Sequence, residues 1–234
     1  MNRRDRQKAE TFVDIMRSAE ELFMRQGYER TSMQQIADHS GLTKGALYHH
    51  FISKESLLER MCADHYRTLS DAARPIIDDA SLSCFARIRG LIDLARGLGI
   101  SSVSFVSEYL KVRSDESSVM LKERLRKYDR KFYVDFIAPL LRRAKEDGEC
   151  SFASSPEILA TFIQCLDRGV NEEINRVFSE YSRPEAERRI VEIMKTYVYT
   201  LSRMLNTRPE EVSTLIGLEE SMHLYGELLK KAIN

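Results

Sequence analysis

Apolar residues return at every third or fourth position along most of this chain, in stretches of helical length. Phe12, Ile15, Met16, Ala19, Leu22 and Phe23 predict a helix over 6–26, which Gly27 ends. Met33, Ile36 and Ala37 predict a short helix over 32–40. Gly41 stops it, because glycine reaches positive φ without a Cβ clash. Thr31 or Ser32 can cap its start by accepting a hydrogen bond from a first-turn amide. Thr43 is placed to cap another short helix, Lys44 to about His50, whose inward anchors are Leu47 and Phe51.

The pattern continues to the end of the chain. Leu57, Leu58, Met61 and Leu69 predict a helix that Ser53 caps with Ser56 and that Pro75 closes. A fifth helix, over 81–98, carries Phe85, Ile88, Leu91 and Ile92. Phe105, Val106, Tyr109 and Leu110 favour helix over 100–113, and 117–147 reads as a long helix that Pro139 should kink. Two further long helices, 156–181 and 184–205, each begin at a proline, a favoured first-turn residue. Thr207 can cap a short piece ended by Gly217, and Leu218, Met222, Tyr225, Leu228, Leu229 and Ile233 form a last amphipathic helix. The fold class expected is all-α: a three-helix N-terminal domain over 1–54, a larger helical body over 55–206, and a helical extension over 207–234.

The helix over 156–181 carries two apolar stripes. Leu159, Ile163, Leu166, Val170, Ile174 and Val177 form one, and Ile158, Phe162, Cys165 and Gly169 the other. One stripe can face the subunit's own core and leave the other for a partner. A helix pair with spare apolar surface suits a four-helix dimer interface.

Composition narrows the class. Of 234 residues, 43% are hydrophobic and 31% charged, as in a helical protein with a sizeable core. No run approaches the ~18 apolar residues of a membrane span. The arginines at the N-terminus are followed by no apolar stretch, which is not the pattern of a signal peptide. Cys62, Cys84, Cys150 and Cys165 are widely spaced and expected to be buried thiols of a cytoplasmic protein. Lys+Arg and Asp+Glu balance at 36 each, although nucleic-acid binders often carry a basic excess. Distribution matters more than the sum: Arg3, Arg4, Arg6 and Lys8 form a basic arm, and Lys44, His49, His50 and Lys54 gather around the short helix at 44–50.

That helix carries the chemistry. Helix, tight glycine turn and second helix is the layout of a DNA-reading helix-turn-helix, whose second helix lies in the major groove. Lys44 can reach a guanine edge or a phosphate, and Gly45 and Ala46 let the backbone approach the groove floor, with Ala46 able to touch a thymine methyl. Tyr48, His49 and His50 offer hydroxyl and imidazole groups to phosphates, and Lys54 offers a point charge.

Thr31, Ile36-Ala37, Gly41-Leu42-Thr43-Lys44-Gly45, Leu47-Tyr48, His50-Phe51 and Lys54 with Leu57 resemble the DNA-binding signature of the tetracycline-repressor (TetR) family. Upstream, Ala19, Leu22-Phe23 and Gly27-Tyr28 resemble the family's first helix and the turn after it. The resemblance covers roughly residues 10 to 60; the rest is similar only in length and helical pattern. It implies a homodimeric transcriptional regulator on a palindromic operator in double-stranded DNA, with Thr31, Thr43, Lys44, Gly45, Ala46, Tyr48, His49, His50 and Lys54 at the DNA. It also implies repression relieved by a small-molecule effector held in the body. Phe105, Tyr109, Tyr128, Phe132, Phe162, Cys165 and Tyr197, aromatic or soft residues on inward stripes, are the candidate lining for a lipophilic ligand. Glu108 or Asp167 can answer a cationic one. A second reading keeps the fold and the DNA but replaces the small molecule by a protein partner or an architectural role. No cofactor or metal is implied. The chain lacks a Gly-x-Ser-x-Gly elbow, a phosphate-cradling glycine loop and an HExxH pair, so an enzyme is not expected.

Overall fold

A computed structural model describes residues 2–100, 127–128 and 130–232, and among these every regular element is helical. They divide into two compact units. Residues up to Asp71, with 95–100 and 127–128, make the first; Ala72–Leu94 with 130–232 make the second.

The first unit is built on α1 (Arg3–Gln26), α2 (Met33–His39), α3 (Lys44–His50) and the first part of α4 (Lys54–Asp78). Ile15, Ala19 and Phe23 of α1, Ile36 and Ala37 of α2, Leu47 of α3 and Leu57 of α4 are all sealed from solvent and form one cluster. Gly27 at φ +85° lets the chain turn out of α1. Tyr28 then folds its ring back against Phe23, with centroids 5.2 Å apart. Ser32, not Thr31, caps α2. Its side chain accepts from the Gln35 amide and the Gln35 side chain accepts from the Ser32 amide, a closed capping box. Ser53 and Ser56 make the expected reciprocal pair at the start of α4.

The second unit holds the end of α4, most of α5 (Cys84–Ile100), α6 (Ala138–Glu146), α7 (Pro156–Glu180), α8 (Arg183–Leu205), α9 (Pro209–Ile216) and α10 (Leu218–Ala232). Pro75 does not close α4, which continues to Asp78. A proline deletes one amide donor, yet the helix goes on past it and packs on α5. The Ile76 side chain lies so close over Gly90 of α5 that an added Cβ there would sit 2.9 Å from Ile76 Cγ2. Pro139 also behaves differently from a simple kink. The irregularity precedes it as a π-turn over Tyr133–Ile137, in which the Ala138 amide donates to the Tyr133 carbonyl. Pro139 thereby falls in the first turn of α6, where no amide is needed.

Glu149, in the loop after α6, caps α5: its two carboxylate oxygens accept from the Cys84 and Phe85 amides at 2.7 and 2.9 Å. The C-terminal helices pack on the unit's own framework, α9 and α10 against α8 and against each other. Thr207 does not cap α9; Arg208 stands at that position, and the Thr207 hydroxyl bonds the Glu211 carboxylate instead. Gly217, at φ +60°, joins α9 to α10 directly over the Arg89 guanidinium. Arg89 in turn donates to the Thr214 carbonyl at 2.8 Å and pairs with Glu220 at 2.9 Å.

Candidate DNA-reading head and body cavity

The α2–turn–α3 unit is held rigidly from beneath. Gly41 takes φ +69°, and the Leu42 amide reaches back to the Ala37 carbonyl at 2.9 Å, closing α2. The chain then extends through Thr43, whose hydroxyl oxygen accepts from the Ala46 amide at 3.2 Å and starts α3. Leu47 is fully buried and Phe51 nearly so, with the Phe51 ring 5.4 Å from that of Phe12. With those two anchors inward, Thr43, Lys44, Gly45, Tyr48 and His49 face solvent, while Ala46 and His50 are half-buried. This exposed face carries a cation, a phenol and an imidazole beside a glycine. It is the surface chemistry of a helix that reads a groove and grips phosphates. Thr43→Ala should cost about 1 kcal/mol through the lost cap. The expected result is a lower melting temperature for the first unit, measured by thermal circular dichroism, with Thr43→Ser close to wild type.

Two expected DNA contacts are engaged elsewhere. Thr31 is buried, and its hydroxyl donates to the Gly27 carbonyl at 2.8 Å, tying the turn before α2. Lys54 donates to the Tyr28 carbonyl at 2.7 Å and stacks its ammonium 4.1 Å from the centre of the Tyr28 ring. Burial lowers its pKa, against a smaller upward pull from Glu29 and Glu55. Both residues therefore hold the turn that positions α2 rather than standing free at the surface. One exposed residue at this face had no sequence signal: Ile52, 83% exposed just after α3. It follows the anchor Phe51, where the helical period lapses before α4, so periodicity assigns it to neither side.

In the second unit, α5, the π-turn, α7, α8 and α9 surround a cavity of about 50 Å³. Phe132 and Tyr197, both expected ligand residues, line it, together with Tyr133, Asp167 and a wall of Ile, Leu and aromatic carbon. The hydroxyls of Tyr133 and Tyr197 donate to different oxygens of Asp167. Asp167 as a residue keeps part of its surface exposed, but its carboxylate is enclosed. The carboxylate decides its chemistry, because that group must shed its water. Burial raises its pKa, and the two tyrosine donors oppose that rise less strongly.

The other expected ligand residues lie apart. Tyr128 belongs to the first unit, where its ring sits 6.2 Å from that of Tyr66. Phe162 is 64% exposed and Cys165 is exposed as well, which corrects the expectation of four buried thiols. Both lie on the outer stripe of α7, since the Leu159–Ile163 stripe is the one that faces the core. Phe105 and Tyr109 lie outside the described residues. Along the outer stripe runs an open groove of about 460 Å³ between α7 and α8, lined by Cys165, Gly169, Ile193 and Thr196 among others.

Cys84 Sγ and carboxylate oxygens of Asp147 and Glu149 come within 4.8 Å of one another, a spacing a cation can bridge. Their present bonds explain the arrangement without one. Glu149 caps α5, Asp147 pairs with Arg143 at 2.9 Å, and burial raises the Cys84 thiol pKa.

Residues 15–61, which span the helix-turn-helix and its supporting helices, match the family model of the bacterial regulatory proteins of the tetR family. Over those residues the chain is similar to the tetR family. It is 29% identical to the HTH-type transcriptional regulator UidR of Escherichia coli over 143 residues, 60% of this chain and 69% of UidR. It is 30% identical to the HTH-type transcriptional repressor KstR2 of Mycolicibacterium smegmatis over 128 residues, 53% of this chain and 62% of KstR2. In fold it is similar to a putative TetR-family regulator from Syntrophomonas wolfei, with a TM-score of 0.60 and 16% identity over 93% of this chain and 96% of that one. These relatives are transcriptional regulators, not enzymes, which supports DNA-binding regulation as the activity of this chain. Regulators of the family bind DNA and act as homodimers.

Proposed function

We propose that this chain is a cytoplasmic homodimeric repressor that grips a palindromic operator through two copies of α3 and lets go when a small lipophilic effector enters the cavity of the second unit. The observation that carries the DNA half of this reading is the split of α3: Leu47 and Phe51 are locked inward, while Lys44, Gly45, Tyr48 and His49 are left outward. Two such helices about 34–36 Å apart would enter successive major grooves on one side of a duplex. The repressor half draws on the resemblance to a family of effector-released repressors and on KstR2, which is a repressor. An effector favouring the arrangement with the heads misplaced would weaken DNA binding by linkage, by ~1–3 kcal/mol of coupling.

The test is selection of bound duplexes from a random pool at two salt concentrations, with Tyr48→Ala alongside. Wild type should enrich a palindrome, with affinity falling as salt rises. Tyr48 is 41% exposed, so its loss should leave the fold intact and weaken the enriched site about tenfold or more. Enrichment of no sequence, or equal enrichment by the variant, would overturn the assignment of α3.

A second reading, the same fold on DNA without a small-molecule effector, is favoured by one observation. The cavity holds about 50 Å³, whereas pockets for drug-sized ligands run to roughly 300–1,000 Å³. A panel of lipophilic compounds that leaves the melting temperature and the operator affinity unmoved would select that second reading.

A further inference from the structure

We propose that the effector of this regulator is a lipophilic monocation and that Asp167 is the group that recognises its charge. The inference rests on the effector reading given above and names the ligand class for that cavity. A carboxylate inside an apolar chamber needs a reason to be there, because stripping its water is costly unless charge or hydrogen bonds replace it. Here the replacement is incomplete. Tyr133 and Tyr197 each give one hydroxyl, one to each oxygen, and both donors are neutral. Among the described residues no lysine, arginine or histidine pairs with it. The remaining wall is hydrocarbon, from Ile88, Ile92, Ile163 and Leu201 among others.

A structural clamp can be built without the charge. Tyr133 stands at the start of the π-turn, Asp167 on α7 and Tyr197 on α8, so the three do tie those elements together. An asparagine would tie the same hydroxyls without needing a counter-charge. What a carboxylate adds is a site that a cation completes: an ammonium entering the cavity would meet the one charge among the described lining residues, while its apolar portion takes the isoleucine and leucine wall. The cavity, about 50 Å³, is smaller than such a cation, so binding requires the chamber to open.

The experiment uses three probes of one length and shape: 4-phenylbutylamine, 4-phenylbutanol and 4-phenylbutyrate. Binding of each to the full chain is measured by calorimetry and by thermal shift, for wild type, Asp167→Asn and Tyr197→Phe. Wild type should bind the amine at least tenfold more tightly than the alcohol and leave the carboxylate unbound. In Asp167→Asn the amine and alcohol should become equal, with the alcohol's affinity held within about twofold of wild type. Tyr197→Phe, which removes a neutral donor and keeps the charge, should keep or widen the amine's preference, and it carries the test if Asp167→Asn fails to fold. Alcohol binding as tight as amine binding in wild type would overturn the charge assignment while leaving the cavity as a ligand site. An undiminished preference in Asp167→Asn, or a preference lost in Tyr197→Phe, would also overturn it. Binding of none of the three would remove both the inference and the effector half of the proposed function, and the operator selection would stand apart from either result.

Discussion

Phe23→Ala should sharply lower the melting temperature of the first unit. Its side chain is 1% exposed, at the point where α1 meets the turn, and its ring packs on that of Tyr28 inside the cluster that also holds Ile36 and Leu47. Removing a buried phenyl ring from such a site costs about 3–5 kcal/mol, because the walls cannot collapse into the space. A small domain has ~5–15 kcal/mol of stability in all, so this one loses a large fraction of it. The second unit has its own core in Leu91, Leu141, Val177, Ile190 and Leu205 and should keep its structure. Thermal circular dichroism should therefore show an early transition, with partial loss of helix, that is absent from wild type. DNA binding should vanish at temperatures above it. Tyr48→Ala separates the two ways of losing DNA: it should melt as wild type does and still fail to bind its operator. A Phe23→Ala protein that melts like wild type would mean that the head is held by something other than this cluster.

How far the sequence could be read depended on whether a feature is local. The α2–turn–α3 unit was legible because each of its determinants lies within a few residues of its effect. Gly41 stops α2, Thr43 starts α3, and Leu47 with Phe51 points α3 inward. The choice of Ser32 over Thr31 as the cap was not legible. Both carry a hydroxyl at the right place, and only the fold shows Thr31 buried against the Gly27 carbonyl. The bond from Lys54 to the Tyr28 carbonyl was not legible for the same reason, since the two lie 26 residues apart. The prolines misled because a missing amide states a local cost and says nothing of what offsets it. Beyond Pro75 the helix runs on to Asp78 with Ile76 packed over Gly90, and before Pro139 stands the π-turn. The cavity was half legible. Periodicity placed Phe132 and Tyr197 inward, but the two stripes of α7 compete, and period alone does not say which is the core. Tyr133 escaped notice because an ideal helix puts it beside Phe132, on a different face, and the π-turn shifts that register.

The outer stripe of α7 carries the other large expectation: Phe162→Glu should turn the protein into a monomer that no longer holds its operator. Phe162 is 64% exposed, Ile158 52% and, on α8, Tyr199 62%, so the two helices present large apolar side chains to solvent in a single chain. Exposed apolar surface on two adjacent long helices is costly unless something covers it. In a family whose members act as homodimers, a second copy of the same pair is the economical cover. A glutamate at 162 would place one carboxylate from each subunit into a face built for hydrocarbon. The cost at the centre of such a patch is ~2 kcal/mol or more per subunit. The mass in solution should fall from a dimer to the 27.1 kDa of one chain at micromolar concentration. Affinity for a palindrome should fall far more than affinity for an isolated half-site, because only the palindrome needs both heads at once. Val13→Glu is the matched control: Val13 is 60% exposed on α1, and a charge there should leave the dimer intact. A Phe162→Glu protein that remains a dimer would move the interface off this face of α7 and α8, and the groove between them would need another occupant.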